Sequence, residues 1–341
     1  MGKYIYGFII NQAGLSPWQL KQDDSFYQQF SSFTLDTDQI ESDEKFSGMF
    51  KSIHLLKSLG AVVSLISILF FGLIVSLFSK SKITGVLSSV FLFFNPVLHH
   101  LYRQAVPNNI QILFVIAAVS LILYLINKID DLNLMRCLLW ALLGIFIAAA
   151  TSIKLNGLFI LIAPIFMWLV EAMKASFLDQ ELQINILNKF KALAIMLSSF
   201  AMIFYWLEPE LWRHPIRGLS LLLGSRIDQH QRFLFSYENY SFFETFFFLI
   251  VQFLKISNFL VIKLTLIVFL FLGIKKIINK LNNQLWLNVG LLMIFMLISN
   301  IFYANVGFER YAEWSIFIFS FLSAVGGIEF LKIIYQKIHC L

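Results

Sequence analysis

The chain has 341 residues, of which 59% are hydrophobic and 16% aromatic, while only 13% are charged, about half the charge of an ordinary soluble domain. Those proportions exclude a soluble globular enzyme, a disordered chain and a disulfide-stapled secreted domain, and leave a polytopic membrane protein whose length is counted in spans of about 20 residues. The net charge of +6 is not gathered into a basic water-exposed run, so it reads as a determinant of membrane orientation, and no nucleic-acid partner is expected.

In chain order, residues 1–52 read as an outer loop with short amphipathic segments, and residues 53–341 as a transmembrane bundle, together one membrane domain. The apolar stretch Tyr4–Ile10 after Lys3 is too short for a signal peptide, and Tyr6 stands where a myristoylation signal needs Ser or Thr. Residues 11–50 carry Asp23, Asp24, Asp36, Asp38, Glu41, Asp43 and Glu44, an acidic, solvated face. Apolar runs then follow at Leu59–Phe78, Ile83–Leu98, Ile110–Ile126, Cys137–Ile153, Leu155–Val170, Ala192–Leu207, Thr245–Ile274, Leu285–Val306 and Trp314–Ile328. Thr245–Ile274 exceeds one simple span and carries Lys255 and Lys263, so it reads as one tilted span preceded by an interfacial or re-entrant piece. Residues 174–191 read as an amphipathic connection. The predicted fold is all-α, a bundle of about nine spans.

Lysine sets the predicted orientation. With Leu59–Phe78 running inward, alternate connections carry Lys80 and Lys82; Lys128 and Arg136; Lys174, Lys189 and Lys191; Lys275, Lys276 and Lys280; and Lys332 and Lys337. Every inner connection is then basic, as the positive-inside rule asks. The expected location is the plasma (inner) membrane, multi-pass, with the active face outward. Six of the seven arginines, Arg103, Arg213, Arg217, Arg226, Arg232 and Arg310, fall on the outer side, against that rule. Arginine's planar fork grips phosphate, so an outward site for an anionic ligand is one reading. Contact with lipid headgroups or with Asp and Glu neighbours is the other.

Four outer segments hold the candidate residues. In the first, from Asn95-Pro96 to Asn109, Pro96 breaks a helix near the surface and Arg103 stands where a span meets water. The paired His99 and His100 point about 100° apart on a helix, a poor metal pair, and no metal is expected. In the second, Thr151 to Gly157, Lys154 has no carboxylate beside it in sequence and either meets an anionic substrate or snorkels. The third, Glu208 to Gly218, has two prolines, and Arg213 and Arg217 at a spacing that puts both on one helix face. The fourth, Phe308 to Tyr311, holds Arg310 beside Glu309, and mutual neutralisation of the two charges is the alternative to a binding role. Cys137 and Cys340 have neither disulfide nor metal-ligand spacing. Nucleotide-binding, serine-hydrolase, zinc-protease and EF-hand motifs are absent from the sequence.

In these four segments the sequence resembles the GT-C glycosyltransferases, in particular bacterial relatives of the dolichyl-phosphate-mannose protein mannosyltransferases. The resemblance rests on Arg103-Gln104-Ala105-Val106-Pro107-Asn108, with Asn108 in place of the family's usual Asp; on Lys154-Leu155-Asn156-Gly157; on Glu208-Pro209-Glu210-Leu211-Trp212-Arg213-His214-Pro215; and on Arg310-Tyr311. It implies transfer of a mannose-like hexose from a polyprenyl-phosphate donor to an outer-face acceptor, a protein, lipid or glycan. It implies donor-phosphate or substrate binding at Arg103, Asn108, Lys154, Glu208, Arg213, His214, Arg217, Arg310 and Tyr311. Beyond the lipid-linked sugar, no cofactor is expected. Met1-Gly2-Lys3-Tyr4 resembles the tail of a stretch that follows the family's first span and catalytic acid, so that acid is expected upstream of Met1, in a chain truncated and inactive as given. Glu208 and the acids of residues 23–44 are the candidates for a substitute base, a less favoured reading than an acid upstream. The alternatives are a transporter of an anionic solute, disfavoured by spans nearly free of charge, and a non-catalytic membrane subunit that binds lipid-linked sugars.

Overall fold

A computed structural model describes residues 44–103, 108–126, 132–153, 157–175, 182–208, 210–220, 224, 240–304 and 312–339. Every regular element among them is helical. The helices are α1 (Glu44–Ser79), α2 (Lys82–Phe93), α3 (Pro96–Arg103), α4 (Asn108–Ile126), α5 (Leu134–Ile153), α6 (Leu158–Ala175), α7 (Leu182–Leu207), α8 (Glu210–Arg213), α9 (Phe242–Leu254), α10 (Leu260–Asn279), α11 (Gln284–Ala304) and α12 (Glu313–His339). Helix is the only way an isolated segment can satisfy its backbone in hydrocarbon. Five helices are long and apolar enough to cross a membrane, namely α1 from Lys57, α5, α7 from Asn188, α11 as far as Ile301, and α12. Shorter apolar helices accompany them. Helix α10 has 20 residues and carries Lys263, Lys275 and Lys276, whose long stems can lie along apolar surface.

Two of the predicted runs are divided. Ile83–Leu98 breaks at Phe94–Asn95 into α2 and α3, because Pro96 has no N–H to continue the ladder and Asn95 caps a new helix. Thr245–Ile274 becomes α9 and α10, separated at 255–259. Helix α9 has only 13 residues and opens with a capping box, in which Ser241 N–H donates to Glu244 Oε2 (2.7 Å) and Glu244 N–H to Ser241 Oγ (3.3 Å). The Ser241 backbone N–H, followed by its hydroxyl, holds the Glu244 carboxyl below the usual carboxylate range. Three helices also outrun their apolar stretches by ten residues or more: α1 is continuous from Glu44, α7 from Leu182, and α12 as far as His339.

Successive helices form antiparallel hairpins. Helix α1 turns at Lys80, which adopts φ 54°, and α2 returns along it with Ser89 Oγ donating to the Ile68 carbonyl (3.1 Å). In α4 and α5, Gln111 meets Ala150 and Phe114 meets Phe146. In α5 and α6, Trp140 meets Trp168. Asn300 on α11 meets Ser315 on α12. By contrast, α10 and α12 run in the same direction. Gly273 lies against the backbone of Leu322, Gly326 against Phe269 and Gly273, and Lys276 reaches Glu329 (3.0 Å). A Cβ on Gly326 would fall on the Phe269 carbonyl oxygen, so only glycine permits this approach. Helix α12 is the hub: Glu313 to Gly327 are buried without interruption, as in a helix enclosed on every side.

Candidate functional site opposite the lysine-rich end

The hairpins collect lysines at one end of the bundle. Lys80 and Lys82 lie at the α1–α2 turn, and Lys276 and Lys332 both bind Glu329 (3.0 and 3.1 Å). The helix ends that flank the four candidate segments lie at the other end, where short contacts join several of them. Gln111, at the first turn of α4, donates from Nε2 to the Ala150 carbonyl near the end of α5 (3.1 Å). The chain then reverses between α5 and α6, where a Cβ on Gly157 would stand 2.7 Å from the Thr151 nitrogen and 2.8 Å from the Ala150 carbonyl carbon. This is a physical reason for glycine in Lys154-Leu155-Asn156-Gly157. Phe159 and Ile160 at the start of α6 share a packing site with Trp314 at the start of α12. There Asn300 Nδ2 donates to Ser315 Oγ (2.5 Å).

Arg103 ends α3 and Asn108 opens α4; their side chains lie outside the described residues. Lys154, Arg310 and Tyr311 lie outside the described residues altogether, as do Arg226, Arg232 and the acids of residues 23–43. Lys154 is nonetheless bracketed by Ile153 and Gly157, and Arg310-Tyr311 directly precedes buried Ala312. Glu208 is half-buried just beyond α7, and His214 and Arg217 are exposed. Arg213, described in backbone only, ends α8, and a second helical segment, 215–220, begins after His214. The expected single helix face for Arg213 and Arg217 is therefore corrected. Pro215 has no N–H for the Leu211 carbonyl and starts a new helix, in which Gly218 N–H donates to the His214 carbonyl (2.6 Å). Helix α8 is clasped to α7 by two bonds: Trp212 Nε1 donates to the Tyr205 carbonyl (2.9 Å) and Tyr205 Oη to the Trp212 carbonyl (3.1 Å).

Three buried residues were not singled out by sequence. Asn95, with no exposed surface, accepts at Oδ1 from Val97 N–H (3.0 Å) and Leu98 N–H (3.3 Å), and donates from Nδ2 to the Gln252 and Phe253 carbonyls (3.2 and 3.3 Å). It thereby caps α3 and ties it to the end of α9. Gln111 is 2% exposed and Glu313 3%. An amide between two isoleucines, or a carboxylate directly before an apolar run, was the available signal. Among the described residues, every buried Asn or Gln except Asn288 lies towards this end, forming a polar layer above a hydrocarbon core. Below it, an apolar cavity of about 90 Å³ follows α4 from Ile112 to Leu123, between α1, α11 and α12.

Residues 32–213, just over half of the chain, match the family model of the dolichyl-phosphate-mannose-protein mannosyltransferases. The match includes the segments around Arg103, Lys154 and Glu208, and ends before Arg217 and Arg310. No curated protein and no solved structure matches the chain. By its family match the chain belongs to the dolichyl-phosphate-mannose-protein mannosyltransferases, a family of membrane glycosyltransferases.

Proposed function

We propose that the chain acts at the end opposite its lysines, moving a mannose-like hexose from a polyprenyl-phosphate donor to an acceptor protein, lipid or glycan outside the membrane. The observation that carries this reading is the convergence of two family-matched segments, those around Arg103 and Lys154, with the α11–α12 turn beside buried Gln111, Asn300 and Ser315. In the reaction the acceptor hydroxyl oxygen forms a bond to the sugar's anomeric carbon. The bond from that carbon to the lipid phosphate breaks, its electron pair leaves with the phosphate, and the hydroxyl proton passes to a base. Negative charge gathers on the departing phosphate, and fixed cations lower the barrier by stabilising it.

Arg103, Lys154 and Arg310 are the cations we assign to that phosphate. Asn108, Arg213, His214, Arg217 and Tyr311 are assigned to the surrounding substrate surface. Glu208, half-buried where α7 ends, is a carboxylate able to take the proton. The cavity along α4 is lined by side chains such as Phe71, Ile116, Leu123 and Met293, and offers hydrocarbon a place beneath the polar layer. The test is donor binding in reconstituted membranes. Arg310→Ala should abolish binding of a labelled polyprenyl-phosphate hexose while leaving the protein folded; unchanged binding would overturn the assignment.

A further inference from the structure

Glu313 is the one buried charged side chain among the described residues. It sits in the first turn of α12, in a bundle that otherwise buries hydrocarbon, amides and hydroxyls. An ionisable group enclosed in a membrane bundle marks a functional site by default. Helix α12 runs 27 residues onward from it, and negative charge at a helix N-terminus is favoured by the amide dipoles. The neighbourhood is built for hydrogen bonding. Asn300 and Ser315, both buried, bridge α11 and α12 two residues further on. Ser299 Oγ, fully buried on α11, has no hydrogen-bond partner among the described residues.

Glu313 follows Arg310, a cation assigned to the phosphate, by three residues in sequence. A carboxylate repels phosphate and cannot share that task. It suits an uncharged donor of hydrogen bonds, which a glycosyl donor and its acceptor both provide as hydroxyls. We infer that Glu313 is a specificity residue that accepts hydrogen bonds from a substrate hydroxyl, on the donor's sugar or on the acceptor. This rests on the glycosyltransferase reading above and adds to it the group that recognises the uncharged part of the substrate.

The experiment compares two probes, polyprenyl phosphate with and without its hexose, on the full chain in nanodiscs. Glu313→Gln should weaken binding of the sugar-bearing lipid about tenfold or more and leave the bare lipid phosphate unchanged, with Glu313→Asp between Gln and wild type. If binding of both lipids holds and the KM for acceptor rises instead at constant kcat, the hydroxyl is the acceptor's and the inference stands. Equal loss for both lipids in a variant with wild-type Tm assigns Glu313 a structural role and overturns it. So do wild-type binding and kinetics throughout. If Glu313→Gln does not fold, Glu313→Asp carries the same comparison. A wild-type chain that binds neither lipid overturns the donor reading itself, a result distinguishable because it precedes any substitution.

Discussion

Asn95 joins two helices that are far apart in sequence, and the strength of that joint can be predicted. Its amide satisfies two N–H groups at the start of α3 and two carbonyls at the end of α9, all within a buried site. These are the groups a helix terminus leaves without partners. Asn95→Ala removes the cap, worth about 1 kcal/mol, and exposes each stranded buried group to a penalty of about 1–3 kcal/mol. Thermal unfolding in detergent should show a loss of about 2 kcal/mol or more. Asn95→Ser should fall between, because its hydroxyl can cap α3 but is too short to span to α9. A wild-type melting temperature for Asn95→Ala would refute the joint. The Asn-Pro pair makes the helix start legible in sequence; the second role depends on residues 157 and 158 positions away, which no local pattern carries. Glu313 was missed for a related reason: hydropathy shows a carboxylate beside an apolar run but not how deeply the bundle encloses it. Arg213 and Arg217 illustrate the converse, since their spacing suggested one face until Pro215 divided the helix.

At the scale of elements, the apolar runs located most helices because hydropathy reports which residues face lipid or core. It does not report where hydrogen bonding continues. Helix α1 reaches back to Glu44 and α7 to Leu182 through polar residues, for which water is no obstacle to helix. The division between α9 and α10 was legible in the length of Thr245–Ile274 and its two lysines, although its position at 255–259 was not. The parallel packing of α10 and α12 was also hidden, being fixed by Gly273 and Gly326 rather than by hydropathy. It gives a paired prediction. Gly326→Ala places a Cβ on the Phe269 carbonyl oxygen and should destabilise by about 1–3 kcal/mol, as overpacking does, loosening the Lys276–Glu329 pair. Gly290→Ala, whose new Cβ would meet nothing nearer than 3.5 Å, should be neutral or stabilising by up to about 1 kcal/mol through helix propensity. Equal melting temperatures for the two variants would show that the close approach carries no weight.

For the whole molecule, the hairpins sort most of the cations between two ends, with Arg136 the arginine that stays with the lysines. Lysines 80, 82, 275, 276, 280, 332 and 337 belong to one end, while Arg103, Arg213 and Arg217 belong to the other. Because α10 and α12 run in parallel, Lys276 and Lys332 come to bear on the same Glu329, and α11 must return between them. Positive charge is retained on the cytoplasmic side during insertion, so the lysine end should face the cytoplasm and the arginine end the exterior. Thiol labelling of intact cells can decide this, in a background with Cys137 and Cys340 replaced by alanine. A membrane-impermeant maleimide should label His214→Cys, exposed just after the Trp212 clasp, and should reach Lys80→Cys, exposed at the α1–α2 turn, only after the cells are opened. The reverse pattern would put the arginine end in the cytoplasm and remove the case for an outward acceptor. The expected pattern would leave lysine to set the orientation, and arginine, placed against the charge rule, to meet an anionic substrate.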